Sequence, residues 1–113
     1  MLDELRRRGL TVGIASNFDR RLRTVIAGLH ALASISPIII SSEVGRRKPA
    51  TAFFEAVVRS VGGGPGQVLH VGDDRANDYD GALAAGLRAI LYDSRGHGKQ
   101  GEATIRNLSA LLA

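Results

Sequence analysis

Apolar residues fall along this chain in two alternating patterns: short β-branched runs, and stretches with an apolar residue every three or four positions. The run at 10–15 (Leu-Thr-Val-Gly-Ile-Ala) has the length of a buried strand. Leu22, Val25, Ile26 and Leu29 then recur at helical spacing. Pro37 introduces Ile38, Ile39 and Ile40, whose branched side chains suit a second strand. Phe53, Phe54, Val57, Val58 and Val61 line one side of a further helix, which Pro49 can start because a first-turn residue needs no N–H. A third strand is expected at 68–71, running straight into Gly72-Asp73-Asp74, and a fourth at 89–92. Short helices are expected at 1–8, stopped by Gly9, and from about Asn77 to Ala85, ended by Gly86. A closing helix is expected over 104–112, with Ile105, Leu108, Leu111 and Leu112 on one side. The glycine-rich stretch 62–66 and the polar stretch 93–101 read as loops.

Strands without strict alternation, each separated by a helix, are covered on both faces and run parallel. The expected class is α/β, a doubly wound parallel sheet of about four strands flanked by helices. At 113 residues, one domain spanning 1–113 is expected. In such sheets ligands sit beyond the carboxyl ends of the strands. The residues just after each strand are therefore where chemistry is to be sought.

Composition narrows the field. With 44% hydrophobic and 23% charged residues, the chain reads as an ordinary water-soluble domain. The apolar runs fall far short of the roughly 18 residues that span a membrane. Met1 is followed at once by Asp3, Glu4 and three arginines, unlike a secretory leader. The absence of cysteine removes disulfides and thiolate chemistry and agrees with a cytoplasmic location. The net charge of +4 comes from scattered clusters such as Arg6-Arg7-Arg8 and Arg46-Arg47-Lys48. With few aromatics and no nucleic-acid motif, these read as solvated helix faces and loop ends. The expected partner is a small phosphorylated molecule, with neither nucleic acid nor membrane.

Three strand ends carry chemistry. Ser16-Asn17 supplies a hydroxyl, an amide and backbone N–H groups that suit a phosphoryl oxygen, although the same pair is also a common helix cap. Lys48 can neutralise a phosphate and a nearby carboxylate; alone, it is equally a solvated loop residue. Gly72-Asp73-Asp74-Arg75-Ala76-Asn77-Asp78 sets carboxylates just beyond a strand, a hard-oxygen site suited to Mg²⁺. Asn77 or Asp78 is also expected to cap the following helix.

In this order, Ser16-Asn17, Lys48-Pro49 and Gly72-Asp73-(four residues)-Asp78 resemble motifs two, three and four of the haloacid dehalogenase superfamily. The strings Ser-Asn-Phe-Asp, Arg-Lys-Pro-x-x-x-Phe-Phe and His-Val-Gly-Asp-x-x-x-Asn-Asp-x-x-Gly-Ala resemble its phosphatase-like subfamily. The resemblance implies a Mg²⁺-dependent phosphoryl-transfer site. Ser16 would bind a phosphoryl oxygen with support from Asn17, and Lys48 would hold the nucleophile and phosphate charges. Asp73 would ligate Mg²⁺, and Asp78 would ligate it or orient Lys48 and a water. Asp74 is a lesser candidate. His70 reads as a packed strand residue, His30 and His97 show no partners, and the loop at 94–99 reads as surface.

The family's first motif, an Asp-x-Asp segment carrying the nucleophile and the general acid–base, has no counterpart here. Asp78-Tyr79-Asp80 lies inside motif four, and Asp3 precedes a helix. The resemblance implies that the missing strand would lie between the first and third strands, and that a cap is absent too. Open strand edges would then invite pairing. Direct closure of the two strands, a homodimer, or a complementing strand from another chain are the ways to fill the slot, direct closure or dimerisation being favoured for a folded form; otherwise the chain is a marginal fragment. The expected function is a phosphomonoester hydrolase core that is inactive or weakly active alone. The alternatives are a non-catalytic Mg²⁺- and phosphate-binding or partner-completed module, or an inherited fold with a decayed site.

Overall fold

The computed structural model describes residues 2–29, 32, 35–93, 102–107 and 110–111. In chain order it contains α1 (Leu2–Arg7), β1 (Ile14–Ser16), α2 (Arg21–Gly28), β2 (Ile38–Ile40), α3 (Ser41–Val44), α4 (Thr51–Val61), β3 (Leu69–Gly72), α5 (Gly81–Ala84), β4 (Arg88–Tyr92) and β5 (Thr104–Ile105). A 3-10 turn at Pro65–Gln67 precedes β3, and a π-helical turn at Arg75–Asp80 runs into α5. Helices thus alternate with parallel strands, the α/β arrangement that the apolar pattern predicts. Gly9 (φ +82°) and Gly86 (φ +87°) end their helices in the left-handed region, as expected of C-terminal glycines.

The strands do not form one ladder. β1 pairs with β2, Ser16 standing opposite Ile40, and β3–β4–β5 form a separate parallel sheet in that order. Direct closure of β1 onto β3 does not occur: among the described residues each of these strands is hydrogen-bonded on one side only. What joins the two sheets is the core. Phe53, Phe54 and Val57 of α4 pack with Tyr79, Ala82, Leu87, Ala89 and Leu91, and Ala15 of β1 and Ile39 of β2 pack against the same cluster. Phe53 and Phe54 are fully buried and meet edge to face, their ring centroids 5.5 Å apart. Each such ring stabilises the fold by roughly 3 kcal/mol through area alone.

Four expectations need correction. β1 takes up only Ile14 and Ala15 of the run at 10–15 and ends one residue later, at Ser16; at Gly13 an added Cβ would lie 2.5 Å from the Pro37 carbonyl oxygen, so the chain passes β2's entrance too closely there for an ordinary side chain. α4 begins at Thr51, two residues beyond Pro49. The helix expected from Asn77 starts earlier, as the π-helical turn, and its cap is Asp74, whose carboxylate accepts the Asn77 N–H at 2.9 Å. The closing helix does not start at Thr104: Thr104 and Ile105 instead add to the edge of β4. Leu108, Leu112, His30, His97 and the loop 94–99 lie outside the described residues.

Candidate active site

β1 delivers Ser16 and Asn17 at its carboxyl end, and the loop that follows is stapled in place. Ser41 Oγ, at the start of α3, accepts from the Phe18 N–H and donates to the Phe18 carbonyl, both at 3.0 Å. The Asn17 amide makes two bonds to the backbone of Lys48. Its Oδ1 accepts the Lys48 N–H at 2.7 Å, and its Nδ2 donates to the Lys48 carbonyl at 3.2 Å. Asn17 thereby fixes the backbone from which the lysine projects. The Lys48–Pro49 peptide is cis.

β3 delivers Gly72 and Asp73. The chain then widens into the π-helical turn, where the N–H groups of both Asp78 and Tyr79 reach the Asp74 carbonyl, at 2.8 and 3.3 Å. π turns are rare and recur at functional sites. This one folds the Asp78 carboxylate back over the Cα of Gly72, in space that a Cβ on residue 72 would occupy. Asp78 is buried and bonded through both carboxylate oxygens. Its Oδ1 accepts from Lys48 Nζ at 2.5 Å and faces His70 Nε2 at 3.0 Å, and its Oδ2 accepts the Asp74 N–H at 3.1 Å. Burial, the largest single influence, raises the Asp78 pKa. The bonds from His70, Lys48 and the Asp74 N–H together outweigh it and hold the carboxyl well below its ordinary range.

Of the residues singled out in the sequence, Asn17, Lys48 and Asp78 are thus joined in one chain of hydrogen bonds that links the end of β1 to the end of β3. Ser16 directly precedes Asn17 as the last residue of β1. Asp73 is exposed. Among the described residues neither side chain has a hydrogen-bond partner, so each is free to take a ligand. Asp74 is the helix cap and lends its N–H to Asp78. His70 is the residue that sequence reasoning undervalued. It is buried in β3, edge-on to Phe54 with ring centroids 5.2 Å apart, and bonded to Asp78.

An all-oxygen donor set is what Mg²⁺ takes, commonly one or two carboxylates completed by water and phosphate oxygens. Asp73 and the remaining lone pair of Asp78 Oδ2 fit that pattern in kind. Among the described residues no group of three or more His, Asp or Glu side chains is gathered tightly enough to hold an ion by itself.

Residues 1–86 match the family model of haloacid dehalogenase-like hydrolases. The chain belongs to this family. It is 36% identical over 90 residues to human haloacid dehalogenase-like hydrolase domain-containing protein 3, covering 80% of this chain and 36% of that one. It is 34% identical over 116 residues to a phosphatase of Mycobacterium tuberculosis, covering 99% of this chain and 51% of that one. The haloacid dehalogenase-type phosphatase of Thermococcus onnurineus superposes with a TM-score of 0.87 at 26% identity, over 99% of this chain and 54% of that chain. The chain therefore spans about a third to a half of the length of these relatives. The fold is that of the family, and proteins named as phosphatases are among those the chain is similar to. Among the described residues, no helix is long and apolar enough to cross a membrane.

Proposed function

We propose that this chain is the phosphate- and metal-binding portion of a Mg²⁺-dependent phosphomonoester hydrolase that works in the cytoplasm on a small phosphorylated molecule. The observation that carries this reading is the bond from Lys48 Nζ to Asp78 Oδ1 at 2.5 Å, with Asn17 gripping the Lys48 backbone on both sides. A buried, anchored ammonium between two strand ends suits a phosphoryl group, whose charge it would offset in a setting of low dielectric. Ser16 Oγ would donate to one phosphoryl oxygen. Asp73, with the open lone pair of Asp78, would hold the metal. Bound there, Mg²⁺ would supply charge neutralisation for the phosphoryl oxygens.

The 113 residues contain no Asp-x-Asp after a strand, so the attacking carboxylate has no candidate among them. Turnover by this chain alone is accordingly weak or nil. One observation favours a second reading, a module completed by a partner strand or a second copy: among the described residues β1 and β3 are each paired on one side only, and Leu10, ahead of β1, and Leu69, in β3, are 53% and 45% exposed. Open edges of this kind recruit strands.

The test is Mg²⁺-dependent hydrolysis of a generic aryl phosphate by the folded chain, with Asp73→Asn as the control. No turnover by the chain, followed by turnover when a peptide strand bearing Asp-x-Asp is added, supports the partner-completed hydrolase. Robust turnover by the chain alone, lost in Asp73→Asn, means that another carboxylate or a water attacks and overturns the account of the missing nucleophile. Absence of phosphate and Mg²⁺ binding by the folded chain overturns the whole reading.

A further inference from the structure

A histidine ring in a buried strand costs desolvation unless its nitrogens are paired. His70 is 9% exposed, and Phe54 stands edge-on beside it. A leucine or phenylalanine would serve packing at this place without that cost. What the imidazole adds is a polar contact, Nε2 to Asp78 Oδ1 at 3.0 Å. An ionised carboxylate only accepts hydrogen bonds, so the nitrogen facing it must carry the proton. Asp78 Oδ1 therefore receives two donors, His70 and Lys48, while Oδ2 receives one, the Asp74 N–H. Removing His70 would leave the Asp74 N–H on Oδ2 and the flexible Lys48 side chain as the carboxylate's remaining ties, with less to resist its rotation about the Cβ–Cγ bond. The Lys48 ammonium, whose only described side-chain bond is to Oδ1, would turn with it.

We propose that His70 is a positioning residue: its Nε2–H fixes the rotation of the Asp78 carboxylate, and through it sets where the Lys48 ammonium points. The consequence for phosphate binding rests on the function proposed above; the positioning itself does not. Asp78 is held in this way with a single lone pair on Oδ2 left open. A cation at the site would meet it through one oxygen at most, and Asp73 would be the carboxylate wholly available to it.

Two variants separate positioning from packing. His70→Gln can keep an amide N–H near the place of Nε2, whereas His70→Leu keeps the bulk and the apolar contact with Phe54 but has no donor. The readout is the rate at which acetic anhydride modifies Lys48, followed by mass spectrometry on the folded chain. Loss of one hydrogen bond to a charged group is expected to raise that rate by about tenfold in the leucine variant, with the glutamine variant close to wild type. The reverse order, leucine quiet and glutamine perturbed, would mean that the ring only fills space, and would overturn the proposal. Should the leucine variant fail to fold, nitrogen NMR of the wild-type ring decides. A proton on Nε2 whose resonance moves in Asp78→Asn supports the role, and a bare Nε2 overturns it. Inorganic phosphate binding in the presence of Mg²⁺, measured by calorimetry on the same samples, keeps the two readings apart. The labelling pattern without phosphate binding sustains the positioning role and overturns the function.

Discussion

Lys48 Nζ lies 2.5 Å from Asp78 Oδ1, and the two side chains are only 12% and 6% exposed. They come from opposite sides of the break in the sheet, one following β2 and the other following β3. The bond therefore joins the two halves of the fold as well as two residues of the site. An ion pair this far from water does not gain from attraction alone, because both charges have been taken from solvent. Its strength shows when one partner is removed and the other is left behind.

Lys48→Met does that. The buried Asp78 carboxylate keeps His70 and the Asp74 N–H but loses its counter-ion, and the expected cost is about 3 kcal/mol. Asp78→Asn in the same background removes the stranded charge. The double variant should be more stable than the sum of the two single losses predicts, a coupling that a double-mutant cycle of urea midpoints reads directly. Strict additivity would mean that the pair is open to water in solution.

The same carboxylate sets an acid limb. Asp78 has a folded pKa held below its ordinary 3.8. Its contribution to stability is thus present above the unfolded value and lost as pH falls towards the folded one, because the unfolded chain takes up the proton first. Urea midpoints measured from about pH 6 down to about pH 2.5 should fall through the lower part of this range. In Asp78→Asn that part of the slope should disappear, while the contributions of other carboxylates persist. An unchanged slope would assign the acid limb elsewhere.

Much of the fold was legible because local chemistry decides it. Phe53, Phe54 and Val57 mark the buried side of α4 at helical spacing, and Gly9 and Gly86 stop helices wherever they are placed. The positions of Ser16 and Asp73 at strand ends were legible because each closes or follows an apolar run in an α/β pattern. β5 was hidden. Ile105, Leu108 and Leu111 read as a helix face, yet Thr104 and Ile105 take their backbone partners from Leu91 and Tyr92, and no periodicity records a pairing between segments so far apart. The tie from His70 to Asp78 was hidden for a related reason. It depends on a π-helical turn that brings residue 78 back over residue 72, which spacing alone does not show. One signal was present all the same: His70 and Gly72 are two apart on a strand and share a face, so a carboxylate lying over the glycine also meets the histidine.

Gly72→Ala tests that close approach. A methyl group at this position collides with the Asp78 carboxyl group itself, and the carboxylate is tied on both oxygens and cannot swing aside without breaking bonds. Overpacking of this kind costs about 1–3 kcal/mol. The same displacement should release Lys48, so that the variant loses Mg²⁺ and phosphate binding by more than its stability loss explains. Calorimetric titration at a temperature where the variant is still folded measures this. Wild-type binding in a folded Gly72→Ala chain would show that Asp78 is not needed where the structure holds it.

Tyr79→Phe tests how β5 is held. Tyr79 is buried one residue after Asp78, and its hydroxyl oxygen accepts the Ala103 N–H at 3.1 Å. The Ala103 carbonyl in turn accepts from the Leu91 N–H at 2.8 Å, and the Ile105 carbonyl from the Asp93 N–H at 2.7 Å. Two residues of strand hold an edge poorly by ladder bonds alone; the Tyr79 hydroxyl adds a tie at Ala103, next to the Arg75–Glu102 ion pair at 2.9 Å. Loss of the hydroxyl should cost about 1 kcal/mol in global stability, because Ala103 is exposed and water can replace the lost partner. The local effect should be larger. Hydrogen exchange at Leu91 and Asp93 is expected to speed up together, while the amides that join β3 to β4 stay protected. If exchange at Leu91 and Asp93 were unchanged, β5 would be held by its own backbone pairing and the Arg75–Glu102 ion pair, and the Tyr79 hydroxyl would be incidental to it.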